Sequence, residues 1–135
     1  MGVGYSQGGE KWDEYVQGRG FLVRGGEVNV DESTDIVVTD KFVTEKAPRT
    51  AVGVLEGGGI GLFSVDGEES RDEGADLYEF SGLIKEVGFV AAINLDGGGS
   101  QTVVKDGEVV NEPHCNDVDT ICEREVGAIT CLRDP

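Results

Sequence analysis

Seven residues, Asn94-Leu-Asp-Gly-Gly-Gly-Ser100, bring together an amide, a carboxylate, a hydroxyl and three positions with no side chain. The apolar run Val87–Ile93 precedes them and Gln101–Lys105 follows, so the polar stretch reads as a sharp bend at the end of a buried strand. Gly97, Gly98 and Gly99 let a ligand approach the main chain closely, and successive N–H groups can form a concavity for an anion. Asp96 then stands beside an anion-binding backbone, an arrangement suited to a phosphate-bearing substrate and a carboxylate that does chemistry. Two plainer readings compete. One is an ordinary structural turn. The other is a flexible linker, but a linker would be repeated and flanked by boundaries, whereas this single copy lies between core-like strands.

Other residues could serve the same chemistry. Arg49 stands at the mouth of a strand, after Ala47-Pro48 sets an extended approach, where a guanidinium can grip phosphate oxygens in a bidentate way. A solvated surface arginine is the alternative. Asp66-Gly67 ends another strand, as a reacting carboxylate or as simple turn chemistry. Arg124 lies between Glu123 and Glu125, where a local salt bridge competes with a ligand role. Asn94 and Ser100 either hydrogen-bond substrate or cap local backbone groups. His114, the single histidine, reads as a loop residue and not as an acid or base.

The elements that must position these groups are mostly hairpins. Phe21–Arg24 and Glu27–Val30 flank Gly25-Gly26, Ala51–Leu55 and Ile60–Val65 flank Gly57–Gly59, and Thr102–Val104 and Glu108–Val110 flank Asp106-Gly107, a type I′ signal. Asp31–Thr50 reads as a long loop with a short element near Ile36–Val38. Asp76 is a fair N-cap for a helix whose apolar face is Leu77, Phe80, Leu83, Ile84 and Val87, closed by Gly88. Val90–Leu95 follows as a strand, and Val126–Leu132 ends the fold as another. The expected class is α+β, a mostly antiparallel sheet of hairpins packed on one main helix.

Composition narrows the partners. At 135 residues the chain is one domain at most, with a formal net charge of −16, which opposes nucleic acid and anionic membrane surfaces. Any phosphate must therefore be held by local arginines and backbone N–H groups. No stretch is long and apolar enough for a membrane span. Met1–Ser6 carries neither a basic nor an apolar leader region, so no signal peptide is expected in this chain, and its Gly2 and Ser6 fit a myristoylation pattern only superficially. Three cysteines crowd the C-terminal end. Cys115 and Cys122 bracket a polar loop that a disulfide can close. His114, Cys115, Cys122 and Cys131 are also ligand types for zinc. Adjacent His and Cys rarely hold one tetrahedral ion and the usual C-x₂₋₄-C spacing is absent, so no metal and no cofactor is expected. Cys131 is the odd thiol, either buried in a strand or paired outside this chain.

Asn94–Ser100 resembles the signature of the phosphodiester glycosidase domain family. Arg49-Thr-Ala-Val-Gly53, Asp66-Gly67, the helix-like Asp76–Glu86 and Glu123-Arg-Glu-Val126 follow in family order. Tyr15-Val-Gln17, Phe21–Arg24, Asp31-Glu-Ser33 and His114-Cys115 with Cys122 and Thr130-Cys131 resemble the animal members in particular. The resemblance implies a glycosidase-type hydrolase that removes GlcNAc from a GlcNAc-alpha-1-phosphodiester and exposes mannose 6-phosphate on glycans, in the secretory pathway (Golgi). The implied partner is a phosphorylated glycan or other sugar-phosphodiester.

Such a site holds the phosphate, stabilises an oxocarbenium-like centre and delivers water or a carboxylate to the anomeric carbon, with a phosphate that leaves readily as an anion. On that resemblance Asp96 is the first candidate for the carboxylate, as nucleophile, base or electrostatic stabiliser, and Asp66 the second. Asn94, Gly97–Ser100, Arg49 and Arg124 become substrate-binding residues, and Cys115–Cys122 becomes the disulfide. Family domains begin with another half that includes an Asn-Gly-Gly-Phe-Phe-like strand. The expectation is that residues 15–135 are the C-terminal half of an incomplete domain, after an ill-defined segment 1–14. Alone it should be inactive and prone to associate through uncovered edges and faces. The alternative function is a non-catalytic sugar-phosphate-binding or structural fragment.

Overall fold

The computed structural model describes residues 16–114 and 125–132. Five antiparallel strands, β1 (Phe21–Arg24), β2 (Glu27–Val28), β3 (Arg49–Leu55), β4 (Ile60–Val65) and β5 (Phe89–Asn94), make one sheet in the order β2-β1-β5-β3-β4. A separate two-stranded ribbon pairs β6 (Val104–Lys105) with β7 (Glu108–Val109). The helix α2 (Leu77–Val87) lies against β1, β2 and β5. The architecture is the α+β sheet-and-helix arrangement expected.

Local chemistry explains most of these elements. Arg24 pairs with Glu27 across Gly25-Gly26, and Lys105 with Glu108 across Asp106-Gly107, both as two-residue turns with positive φ at each position, which fits type I′. Asp76 caps α2 by accepting from the N–H groups of Tyr78 and Glu79, while the Glu79 carboxylate accepts from the Asp76 N–H, a complete capping box. Asp76→Ala should therefore lower stability by about 1 kcal/mol. A thermal melt of a few degrees below wild type would show it, and an unchanged melt would mean tertiary packing alone holds the helix.

Strand alternation sets the two faces of the sheet. Ala51, Gly53, Phe63, Phe89 and Ala92 share the helix side, where Phe63 meets Phe80 with ring centres 5.9 Å apart. Leu77, Phe80 and Ile84 are fully buried there, each contributing roughly 1.5–3 kcal/mol of apolar burial. The helical face is narrower than the sequence suggested. Leu83 and Val87 are exposed, and Ser81 is buried in their place, with its hydroxyl donating to the Leu77 carbonyl at 2.6 Å. At 100° per residue, 77, 80, 81 and 84 form one stripe, and 83 and 87 fall to its flank.

Two further expectations change. The short element expected near Ile36–Val38 falls a few residues later, where turns lead into a one-turn helix, α1 (Lys41–Thr44), capped by Asp40. Val126–Leu132 forms no strand: it is exposed coil, with Ile129 at 80% exposure, since a strand needs a ladder partner and no described residue supplies one.

The other sheet face carries Phe21, Val52, Val54, Ile60, Leu62 and Ile93, with Val54, Leu62 and Ile60 at 40%, 41% and 64% exposure. β4 is also an edge strand, paired with β3 on one side and with no strand on its outer side among the described residues. Acidity opposes self-association at low ionic strength and salt screens it. Sedimentation velocity should show association that increases with salt, and Leu62→Lys should suppress it without loss of fold. Salt-independent monomer would mean that the face is inert.

Candidate functional site

Antiparallel pairing gathers the candidate residues at one end of the sheet. Arg49 begins β3, Asn94 ends β5, Val65 before Asp66 ends β4, and Arg19 precedes β1. A cleft of about 650 Å³ opens there, its walls including Arg19, Arg49, Glu69, Asn94, Asp96 and Gly98.

The glycine turn forms from its contact with the strand mouth. The Gly98 N–H donates to the Pro48 carbonyl at 3.1 Å, and a Cβ on Gly97 would collide with that same oxygen. Gly98 has φ 53, and a Cβ there would come 2.6 Å from a Glu69 carboxylate oxygen. The N–H of Gly97 donates to Asp96 Oδ1 at 3.1 Å and that of Ser100 to the Gly97 carbonyl at 3.0 Å. The glycines thus first serve close packing of chain on chain, and three of the turn's N–H groups are already engaged. Gly99 and Ser100 are not on the cleft wall.

Asp96 is exposed on that wall, and among the described residues its carboxylate engages only the N–H of its own neighbour, Gly97. Asn94 is buried. Its Nδ2 donates to the Leu95 carbonyl at 2.9 Å, while its Oδ1 accepts no hydrogen bond. A buried acceptor left open on a cleft wall can be satisfied by a ligand hydroxyl or amide.

Arg49 is no surface arginine, being 4% exposed. Nε donates to the Ala75 carbonyl at 3.1 Å, and Nη2 donates to the carbonyls of Phe42 and Glu45 at 2.9 and 2.8 Å. The guanidinium also lies 4.8 Å from the Phe42 ring centre. Burial pulls its pKa below the ordinary value, opposed by Glu45, Glu69 and Asp76, and arginine remains charged throughout the working pH range. Nη1 takes no part in these three bonds.

Asp66 lies outside this cleft. Oδ1 accepts from Gln101 Nε2 and Asn111 Nδ2, both at 3.0 Å, and Oδ2 accepts from the Glu112 N–H at 3.1 Å. Its carboxylate ties the β6–β7 ribbon to the end of β4. Arg124, Cys115 and Cys122 lie outside the described residues. Cys131 is exposed and unpaired, in coil and not in a strand.

Sequence reasoning missed Arg19, Asp35, Phe42, Glu45 and Glu69, all on the cleft wall. For Arg19 a local signal existed: it stands between Gly18 and Gly20 directly before a strand. The others arrive from separate loops with no mark of their own.

A phosphodiester glycosidase family model matches residues 3–133. The N-acetylglucosamine-1-phosphodiester alpha-N-acetylglucosaminidases of Mus musculus and Homo sapiens are each 34% identical over 132 residues, 90% of this chain. The chain spans about a quarter of those relatives' length. The solved catalytic domain of the zebrafish enzyme of that name, auto-inhibited by its pro-peptide, superposes with a TM-score of 0.70 at 34% identity, covering 82% of this chain and 39% of that one.

Proposed function

This chain belongs to the phosphodiester glycosidase family, and on that premise we propose that its cleft takes part in removing GlcNAc from a GlcNAc-alpha-1-phosphodiester. The observation that carries the reading is Asp96, an exposed carboxylate held on the cleft wall by a turn fastened to the strand that begins with Arg49. Asp96 acts at the anomeric carbon as nucleophile, base or electrostatic stabiliser of the oxocarbenium-like centre. Asn94 Oδ1 accepts from a sugar hydroxyl or the acetamido N–H. Arg49, through Nη1, and Arg124 bind the phosphate, and Gly97 and Gly98 shape the wall beside it. Asp66, the second candidate carboxylate, has both oxygens occupied in holding the ribbon, which supports Asp96 over it. By the same reading the product exposes mannose 6-phosphate on glycans, the setting is the secretory pathway (Golgi), and Cys115 pairs with Cys122.

A chimaera tests it: this chain replaces the matching quarter of the mouse enzyme, and release of GlcNAc from a GlcNAc-alpha-1-phosphodiester is measured for the chimaera and for the chain alone. Turnover by the chimaera supports the reading, and a folded but inert chimaera opposes it. A second reading, a sugar-phosphate-binding fragment without turnover, is favoured by the chain's covering 39% of the zebrafish catalytic domain. Ligand binding by the chain with no turnover in either setting would select it.

A further inference from the structure

We infer that Arg19 is the mobile anion ligand of the cleft, shared between Asp40 when the cleft is empty and a substrate phosphate when it is filled. The inference rests on the sugar-phosphodiester reading and deepens it. Arg49, the other guanidinium on the wall, is fixed by Nε and Nη2, which are committed to three carbonyls, so it can offer an anion only Nη1. Arg19 differs in each respect. Its side chain is 47% exposed, its Nη2 donates to Asp40 Oδ2 at 2.9 Å, and its guanidinium stacks 4.0 Å from the Phe42 ring centre. Nε and Nη1 remain for an anion, so a bidentate grip needs no loss of a buried contact.

The backbone places this side chain beside the reacting end of β5. The Arg19 N–H donates to the Asn94 carbonyl at 2.8 Å, and the Asn94 N–H donates to the Gly20 carbonyl at 3.1 Å. Gly18 lies so close to the Asn94 carbonyl that any Cβ would clash with it. Arg19 is thus locked in register with Asn94, two residues before Asp96, while its half-exposed guanidinium is held, among the described residues, only by Asp40 and the Phe42 ring. Phe42 supplies a flat surface along which it can slide with its charge still partly satisfied.

The cleft wall also carries Asp35, Glu45, Glu69 and Asp96. With more carboxylates than guanidiniums, it admits an anion only where a positive group is available. Asp40 is the competitor: its Oδ2 pairs with Arg19, and its Oδ1 caps α1 by accepting from the Phe42 N–H. An asparagine at this position keeps the cap and removes the competing charge.

The test titrates the 135-residue chain by calorimetry with the methyl phosphodiester of GlcNAc-alpha-1-phosphate and with neutral methyl N-acetylglucosaminide, circular dichroism confirming the fold of each variant. Arg19→Gln should weaken diester binding about tenfold and leave the neutral glycoside unchanged. Asp40→Asn should tighten diester binding about two- to fivefold, a gain that a purely structural pair would not give. Diester binding unchanged in Arg19→Gln, or not improved in Asp40→Asn, overturns the role of Arg19 and leaves the sugar-phosphodiester reading standing. A folded wild-type chain that binds neither ligand overturns both.

Discussion

Asp96→Asn in the mouse-enzyme chimaera is expected to reduce GlcNAc release by about a thousandfold or more, equivalent to about 4 kcal/mol of transition-state stabilisation, with the fold unchanged. The two halves of that expectation have separate grounds. Asp96 is exposed in the cleft, so its charge stabilises no buried partner, and the hydrogen bond from the Gly97 N–H to Oδ1 is one that an asparagine Oδ1 can also accept. What asparagine lacks is the negative charge and the nucleophilic or basic oxygen needed at an oxocarbenium-like centre. Steady-state rates, together with the thermal melts of both proteins, check it. Turnover within a few-fold of the parent would remove Asp96 from the chemistry. A melt lowered by many degrees would assign it a structural part.

Arg49→Ala should act in the opposite manner, on stability before activity, at a cost of about 3–5 kcal/mol. Three carbonyls from three places lose their donors together: Phe42 within α1, Glu45 at its end, and Ala75 just ahead of α2. Arg49 is therefore the clip that holds the 41–45 turn and the start of α2 to the mouth of β3. Arg49→Lys should recover little of the loss, because one ammonium on a flexible stem does not reproduce a planar fork whose donors diverge toward separate oxygens. Chemical denaturation of the three proteins measures this directly. A lysine variant as stable as wild type would show that charge, and not the shape of the guanidinium, holds the knot.

These two residues mark how differently the site could be read in advance. Asp96 was legible because its setting is local: an apolar run, a carboxylate, three glycines and a second apolar run say strand end and bend without reference to any distant residue. The same holds for the Asp76 cap, closed by Glu79 three residues on, and for the Gly25-Gly26 and Asp106-Gly107 turns, whose backbone demands only glycine or a short polar residue readily meets. The family resemblance drew on the same local motifs, and the family and the α+β class both held.

Arg49 was legible as a position and not as a role. Its place before a strand pointed to a ligand or to solvent, but its partners lie 4, 7 and 26 residues away in loops that only folding brings back. Asp66 was marked as a strand-end carboxylate, and the donors that occupy it, from Gln101, Asn111 and Glu112, come from 35 to 46 residues further along. The sequence by itself determined the turns, the helix cap, the hairpins and the carboxylate at the bend, all built from neighbours a few bonds apart. The tertiary structure alone decided the strand order, in which β5 inserts between β1 and β3. That insertion seats Arg19 against Asn94. Such outcomes depend on which distant strands pair and in what register, and a charged or apolar residue carries no local mark of the partner that long-range pairing will bring to it.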